Sequence, residues 1–143
     1  DGCKKLYIGN RNVERLQQLM AIVHAMPGGD CVEAFTLDNP PDGLPDQGVL
    51  VNATSLGLKE ADPAPFDVQI LPKTWVIYDM IYNPNVTRLL QEARAQGFRA
   101  ANGLSMLVYQ GVRSLEIWSH ADVDAHAMTR AATHALGLPP RND

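Results

Sequence analysis

The run Asn10-Arg11-Asn12-Val13-Glu14-Arg15, just after a short apolar stretch, contains the residues best suited to gripping an anion. In a parallel sheet that holds a dinucleotide, the end of the second strand carries an Asp or Glu that accepts hydrogen bonds from a ribose 2′-hydroxyl. The strand end here reads Gly9-Asn10-Arg11-Asn12, with no acid before Glu14. A carboxylate would repel a 2′-phosphate, whereas a guanidinium presents a planar fork of donors matched to phosphate oxygens. Arg15 stands one helical turn beyond Arg11 and could take the other side of the same phosphate. The competing reading is a solvated arginine pair opening an amphipathic helix. For these two residues taken alone, that reading is the stronger.

Three further apolar runs end in polar or glycine clusters: Asn52-Ala53-Thr54-Ser55, Asp79-Met80-Ile81-Tyr82-Asn83-Pro84 and Asn102-Gly103. Such residues make ordinary turns, and any single cluster reads as one. Four of them at strand ends, with an Arg among them, shift the balance toward a ligand rim beyond the carboxyl edge of a sheet. Other constellations carry less. Ser119-His120-Ala121-Asp122-Val123-Asp124-Ala125-His126 fits no zinc spacing, and Asp122 is better placed as a helix cap with Asp124 in the first turn. Ser55 and Ser105 lack the GxSxG elbow of a hydrolase nucleophile.

The elements that must position these residues alternate. Lys5–Gly9 reads as a short buried strand, followed by a helix capped by Asn12 with Leu16, Leu19, Met20 and Val23 at helical spacing. Pro27-Gly28-Gly29 stops it, and Cys31–Leu37 is a second strand. After a loop rich in Pro, Gly and Asp, Gly48–Asn52 forms a third strand whose continuous apolar run predicts burial on both faces. Thr74–Asp79 is a fourth, with short, poorly determined structure over 60–72. Thr87 caps a helix that turns Leu89, Leu90 and Ala93 inward and ends at Gly97. A brief strand, Phe98–Ala101, precedes two helices over 104–118 and 122–136, and Trp75 and Trp118 are expected in the core. The pattern is that of an α/β parallel sheet.

The 143 residues suffice for one domain with a real core. A net charge of −4 argues against a nucleic-acid partner, and no apolar run is long enough for a membrane span. Cys3 and Cys31 have no ligand spacing and read as free thiols of a cytoplasmic protein. The first residues contain neither an initiator Met nor a signal peptide, and Gly137–Asp143 reads as a frayed tail.

Four segments together resemble the shikimate dehydrogenase family. Asn10-Arg11-Asn12-Val13-Glu14-Arg15 is similar to its NRTxxR segment and Val51-Asn52-Ala53-Thr54-Ser55-Leu56-Gly57 to INATSxG. Tyr78-Asp79-Met80-Ile81-Tyr82-Asn83-Pro84 with Thr87-Arg88-Leu89-Leu90 resembles YDxxYxPxxTxLL, and Asn102–Gly111 resembles DGLGMLVxQA/G. The resemblance implies reduction of 3-dehydroshikimate to shikimate with NADPH, in the pathway to aromatic amino acids. It implies that Asn10, Arg11, Asn12 and Arg15 hold the 2′-phosphate of NADP and that Thr54 contacts the coenzyme. Met80 and Gly103 would offer backbone groups to the nicotinamide, while Tyr82 and Gln110 reach the substrate. The implied fold is a Rossmann-like parallel sheet with flanking helices. Residues 1–102 would form a partial coenzyme-binding domain, with helices from 103–143 packing on it to complete the substrate cleft. A quinate/shikimate dehydrogenase, often accepting NAD, and a non-catalytic nucleotide-binding module are the alternatives.

The sequence departs from the family's pattern in three ways. Asn12 stands for Thr, which preserves a cap and a donor. Asn102 stands for Asp and Ser105 for the second Gly of DGLGM, which bears on the nicotinamide contact or on substrate preference. The family's catalytic Lys and Asp, its N-terminal substrate domain and its glycine-rich phosphate loop have no counterpart here, so no catalytic residue is expected in this segment. The missing domain would be its partner, and the resemblance also admits a homodimer. In the strand order 3-2-1-4-5-6 the absent first strand is central. The first two strands should therefore lack a hydrogen-bonded neighbour joining them to the rest, leaving edges that make these residues alone unstable or prone to aggregate.

Overall fold

The computed structural model of the chain describes residues 3–139. They fall into two compact units, one ending at Leu44 and the other beginning at Pro45. Both are α/β with parallel strand pairing.

The first unit contains β1 (Leu6–Asn10), α1 (Val13–His24) and β2 (Val32–Thr36). Asn12 has extended backbone, and its Oδ1 accepts from the Arg15 amide at 2.9 Å, so the expected cap starts α1. Leu16 and Met20, one turn apart, are buried with Val32, and Ile8, Val23 and Cys31 pack against them. Leu19, expected in the same stripe, is exposed because it falls on the flank of the face set by Leu16 and Met20. Expected burial of β1 is also not met: Leu6 is exposed and the rest half-buried. A strand with one strand neighbour and one covering helix cannot be shielded on every side.

The second unit holds β3 (Val49–Asn52), β4 (Val76–Asp79), α2 (Arg88–Ala95), β5 (Arg99–Asn102), α3 (Leu104–Ser119) and α4 (Ala125–Ala135). The strand order is β3-β4-β5. A 3-10 turn, Val68–Ile70, with Asp67 as its cap, occupies part of the stretch that the sequence left undetermined. Ile77, Leu89, Leu90 and Leu104 are fully buried, and α2 turns Leu89, Leu90 and Ala93 inward as its spacing predicts. Gly97, at φ +82°, takes the left-handed conformation that ends α2.

Three expectations fail here. Val49 and Val51 are 60% and 50% exposed, so β3 is not buried on both faces. It is an edge strand, and α2 packs on β4 and β5 instead. Trp75 is in the core, its indole N–H donating to the Pro45 carbonyl at 2.8 Å, but Trp118 is 76% exposed. The buried stripe of α3 consists of Leu104, Val108 and Val112, and the last turns show Leu115, Ile117 and Trp118 to solvent. Finally, Asp124 rather than Asp122 caps α4, because only from 124 does the carboxylate reach the amides of His126 and Ala127.

Among the described residues β1 pairs only with β2 and β3 only with β4, so the first two strands lie outside the sheet of the other three, as expected. Both cysteines are free thiols. No helix among the described residues is long and apolar enough to cross a membrane, and no group of three or more His, Cys, Asp or Glu is arranged to hold a metal ion. Of the tail expected at 137–143, residues 140–143 lie outside the described residues, as do Asp1 and Gly2.

Candidate functional site

Parallel pairing brings all carboxyl ends of a sheet to one edge, and both units carry their polar clusters there. In the first unit β1 ends at Asn10, whose Oδ1 accepts from the Asn12 amide at 2.9 Å, while Asn12 accepts from the Arg15 amide. Both side-chain oxygens are occupied by backbone donors. Each side-chain NH₂ remains available to an outside acceptor. Arg11 and Arg15 are exposed, and among the described residues neither pairs with a carboxylate. Of this unit's acids, Glu33 pairs with Lys5, which that hydrogen bond holds above its ordinary pKa, and Glu14 stands in the first turn of α1. The strand end therefore offers two amides and two guanidinium groups that, among the described residues, are in no ion pair.

The second unit has a feature the sequence reading missed. Asn52, Asp79 and Asn102 are the last residues of β3, β4 and β5, and they are register partners across the sheet. All three are buried, Asp79 completely. Residues in register on neighbouring strands share a face, so the sheet ends in a buried polar row, amide–carboxylate–amide. Asn52 Nδ2 donates to Asp79 Oδ1 at 3.0 Å, and the Ile81 amide donates to the same oxygen at 3.0 Å. The Thr87 hydroxyl donates to Asp79 Oδ2 at 2.6 Å. Among the described residues no buried side-chain nitrogen or oxygen lacks a partner. Burying a charge is tolerable only under that condition.

Each member of the row fixes one loop. Asn52 Oδ1 accepts from the Thr54 amide at 3.0 Å and the Thr54 hydroxyl at 2.8 Å, and that hydroxyl accepts from the Leu56 amide. Asp79 secures the start of the 80–87 segment through Ile81 and its end through Thr87, whose Oγ1 caps α2. Asn102 donates to Asn85 and accepts from the Leu104 amide at 3.2 Å. The signal for this row was in the sequence, since each residue closes an apolar strand. Read one at a time they passed for turn residues, because register is a property of paired strands.

Of the predicted site residues, Met80 and Gly103 are brought together. A Cβ on Gly103 would stand 2.0 Å from the Met80 carbonyl oxygen, and the Gly103 amide donates to the Ile81 carbonyl at 3.2 Å. Only glycine permits that approach. Thr54 is linked to the same cluster through Asn52, and the Met80 amide donates to the Asn52 carbonyl at 3.0 Å. Tyr82 follows in the anchored segment and is exposed; Gln110 lies on α3, also exposed. Ser105 and Tyr109 line a cavity of about 180 Å³ against His126 and Thr129 of α4.

A family model described as the shikimate 5′-dehydrogenase C-terminal domain matches residues 103–133. A Rhodopseudomonas palustris protein named shikimate dehydrogenase (NADP(+)) is 37% identical over 134 residues, covering 94% of this chain and 46% of the relative. Among solved structures, a shikimate dehydrogenase in complex with NADP+ superposes with a TM-score of 0.79 at 28% identity, over 92% of this chain and 47% of that one. The quinate dehydrogenase of Corynebacterium glutamicum in complex with NAD gives 0.78 at 27%, over 94% and 48%. The chain spans slightly less than half the length of the curated relatives it matches.

Proposed function

We propose that this chain, related in sequence and fold to the C-terminal part of the shikimate dehydrogenase family, is the coenzyme-binding portion of an NADP-dependent enzyme that interconverts 3-dehydroshikimate and shikimate. The observation that carries the reading is at the end of β1. Arg11 and Arg15 are exposed and, among the described residues, not ion-paired, beside Asn10 and Asn12, whose oxygens are already taken by backbone amides. Such a strand end suits an extra phosphate and is poorly suited to a free ribose hydroxyl.

In this reading Asn10, Arg11, Asn12 and Arg15 hold the 2′-phosphate. Thr54, Met80 and Gly103 meet the rest of the coenzyme. Tyr82 and Gln110 hydrogen-bond the hydroxyl or carboxylate groups of the substrate, as an anionic polyol requires. NADPH, when bound, supplies the hydride. The residues that move the substrate's proton belong to a substrate domain outside this segment. Residues 1–102 serve the coenzyme, and the helices of 103–143 complete the substrate cleft. A cytoplasmic homodimer accords with the reading.

In the full-length polypeptide that carries this chain, Arg11→Ala should raise KM for NADPH far more than KM for dehydroshikimate; equal effects would refute the phosphate role. Tyr82→Phe should weaken substrate use and leave NADP affinity nearly unchanged. A second reading, a quinate/shikimate dehydrogenase, draws support from the TM-score of 0.78 to the quinate enzyme in complex with NAD. Assays with shikimate and quinate against NADP and NAD separate the two. Inactivity in every combination would leave the non-catalytic nucleotide-binding module.

A further inference from the structure

We propose that Asn102 and Asn85 form a positioning pair that holds the Tyr82 segment against the head of α3. The inference rests on the reading of Tyr82 and Gln110 as substrate ligands given above.

The segment between β4 and α2 is tied at both ends. The Met80 amide donates to the Asn52 carbonyl, the Gly103 amide donates to the Ile81 carbonyl, and Asp79 accepts from the Ile81 amide and the Thr87 hydroxyl. Between those anchors lie residues 82–86. Among the described residues, their hydrogen bonds come from one side chain: Asn102 Nδ2 donates to the Asn85 carbonyl at 3.0 Å and to Asn85 Oδ1 at 2.6 Å. The other end of the same amide, Oδ1, accepts from the amide of Leu104, the first residue of α3. Asn102 thus spans from the Tyr82 segment to the helix that bears Gln110.

The pairing with Asn85 asks for an amide at position 102, where the pattern of the family that the sequence resembles has Asp. The Leu104 amide must find an acceptor and the Asn85 carbonyl a donor, so the backbone on each side fixes which way the buried amide faces. Asn is the side chain of that length with donors on one arm and an acceptor on the other. A carboxylate of the same shape would still serve Leu104 but would aim an oxygen at the Asn85 carbonyl oxygen. Two residues of neutral side chain, neither placed against the substrate, then set the distance between the phenol and the amide that are.

The test compares wild type, Asn102→Asp and Asn85→Ala in the full-length polypeptide. Asn85→Ala keeps the carbonyl and removes only Oδ1. Removal of the buried donor should lower kcat/KM for shikimate about tenfold in Asn102→Asp, and less in Asn85→Ala, while KM for NADP changes by less than about twofold. Hydrogen exchange supplies a readout free of turnover: the Ile81 and Gly103 amides, whose bonds tie the segment, should exchange about tenfold faster in Asn102→Asp, with those of α2 unchanged. Equal changes in both KM values, unaltered shikimate use, or unaltered exchange at Ile81 and Gly103 would overturn the pairing. If Asn102→Asp does not fold, Asn85→Ala decides by the same criteria. If wild type turns over neither shikimate nor quinate, the functional reading fails, and the exchange data alone decide whether the pair holds the segment.

Discussion

Thr87→Val probes the buried row through a nearly isosteric change. The Thr87 hydroxyl is buried and donates at 2.6 Å to an oxygen of the fully buried Asp79. Its Oγ1 also accepts from the Leu90 amide, at a long 3.4 Å. Valine keeps the methyl and replaces the hydroxyl with a second one. Loss of a hydrogen bond to a charged group costs about 1.5–3 kcal/mol. Loss of the cap lies at the low end of its usual range, about 0.5–1 kcal/mol, because that contact is stretched. The sum is about 2–4 kcal/mol, a large part of a typical stability of roughly 5–15 kcal/mol.

At about 2–4 °C per kcal/mol for a chain of this length or longer, the melting temperature should fall by about 4–16 °C. The assay is thermal denaturation of the full-length polypeptide without coenzyme, since bound ligand would stabilise by mass action. Thr87→Ser is the control. It keeps the hydroxyl and removes the methyl that lies near Gly57, where a Cβ would be 3.2 Å away. That loss is worth about 0.8 kcal/mol. If serine costs as much as valine, the methyl and not the hydroxyl is what matters, and the account of the row is wrong. A double-mutant cycle with Asp79→Asn should also show coupling of about 0.5–3 kcal/mol, and additivity would count against a direct bond.

Gly103→Ala should destabilise by at least about 1–3 kcal/mol, because the added carbon would sit 2.0 Å from the Met80 carbonyl oxygen and 2.6 Å from its carbon, both backbone atoms. An unchanged urea midpoint would show that the β4 and β5 loops do not meet as described. Asp124 has its pKa lowered by the amides of Ala127 and His126, with a smaller contribution from Arg130. A depressed folded value means that its contribution is present above the unfolded pKa and lost as pH falls through the folded one. Asp124→Asn, which can still cap, should therefore flatten the acid limb of α4 exchange protection. An identical limb would remove Asp124 from that role.

Much of the fold was legible because the chain signals its elements locally. Asn12 and Thr87 cap where they stand in sequence, Gly97 ends α2, and the Leu89, Leu90 and Ala93 stripe turns inward. The failures share one cause. The exposure of Val49, Val51, Leu6 and Trp118 depends on which layer covers each element, and an apolar residue does not carry that information. Asp122 and Asp124 are equally good caps by type, and only the start of α4 decides between them. At the site the sequence pointed to the rim residues, whose types suggest ligands. It did not point to Asn52–Asp79–Asn102 as a unit, since register exists only once strands are paired.

That division between rim and row has its own consequence. Of the residues placed against ligands in our reading, Arg11, Thr54, Met80, Tyr82 and Gln110 are exposed, Asn10 is half-buried and Gly103 buried, while Asn52, Asp79, Thr87 and Asn102, which hold loops of the second unit, are buried. A site works when its contact groups are held within a fraction of an ångström, and that demands partners locked by packing and hydrogen bonds. Exposed side chains lose little packing when changed, so substitutions at the exposed rim residues should move kinetic constants with stability nearly constant. Substitutions in the row cannot do so: its polar atoms are satisfied by one another or by the loops they hold, and removing one leaves a partner without its bond. The buried row is therefore where binding geometry and folding stability are the same quantity, and a loss in one must appear in the other.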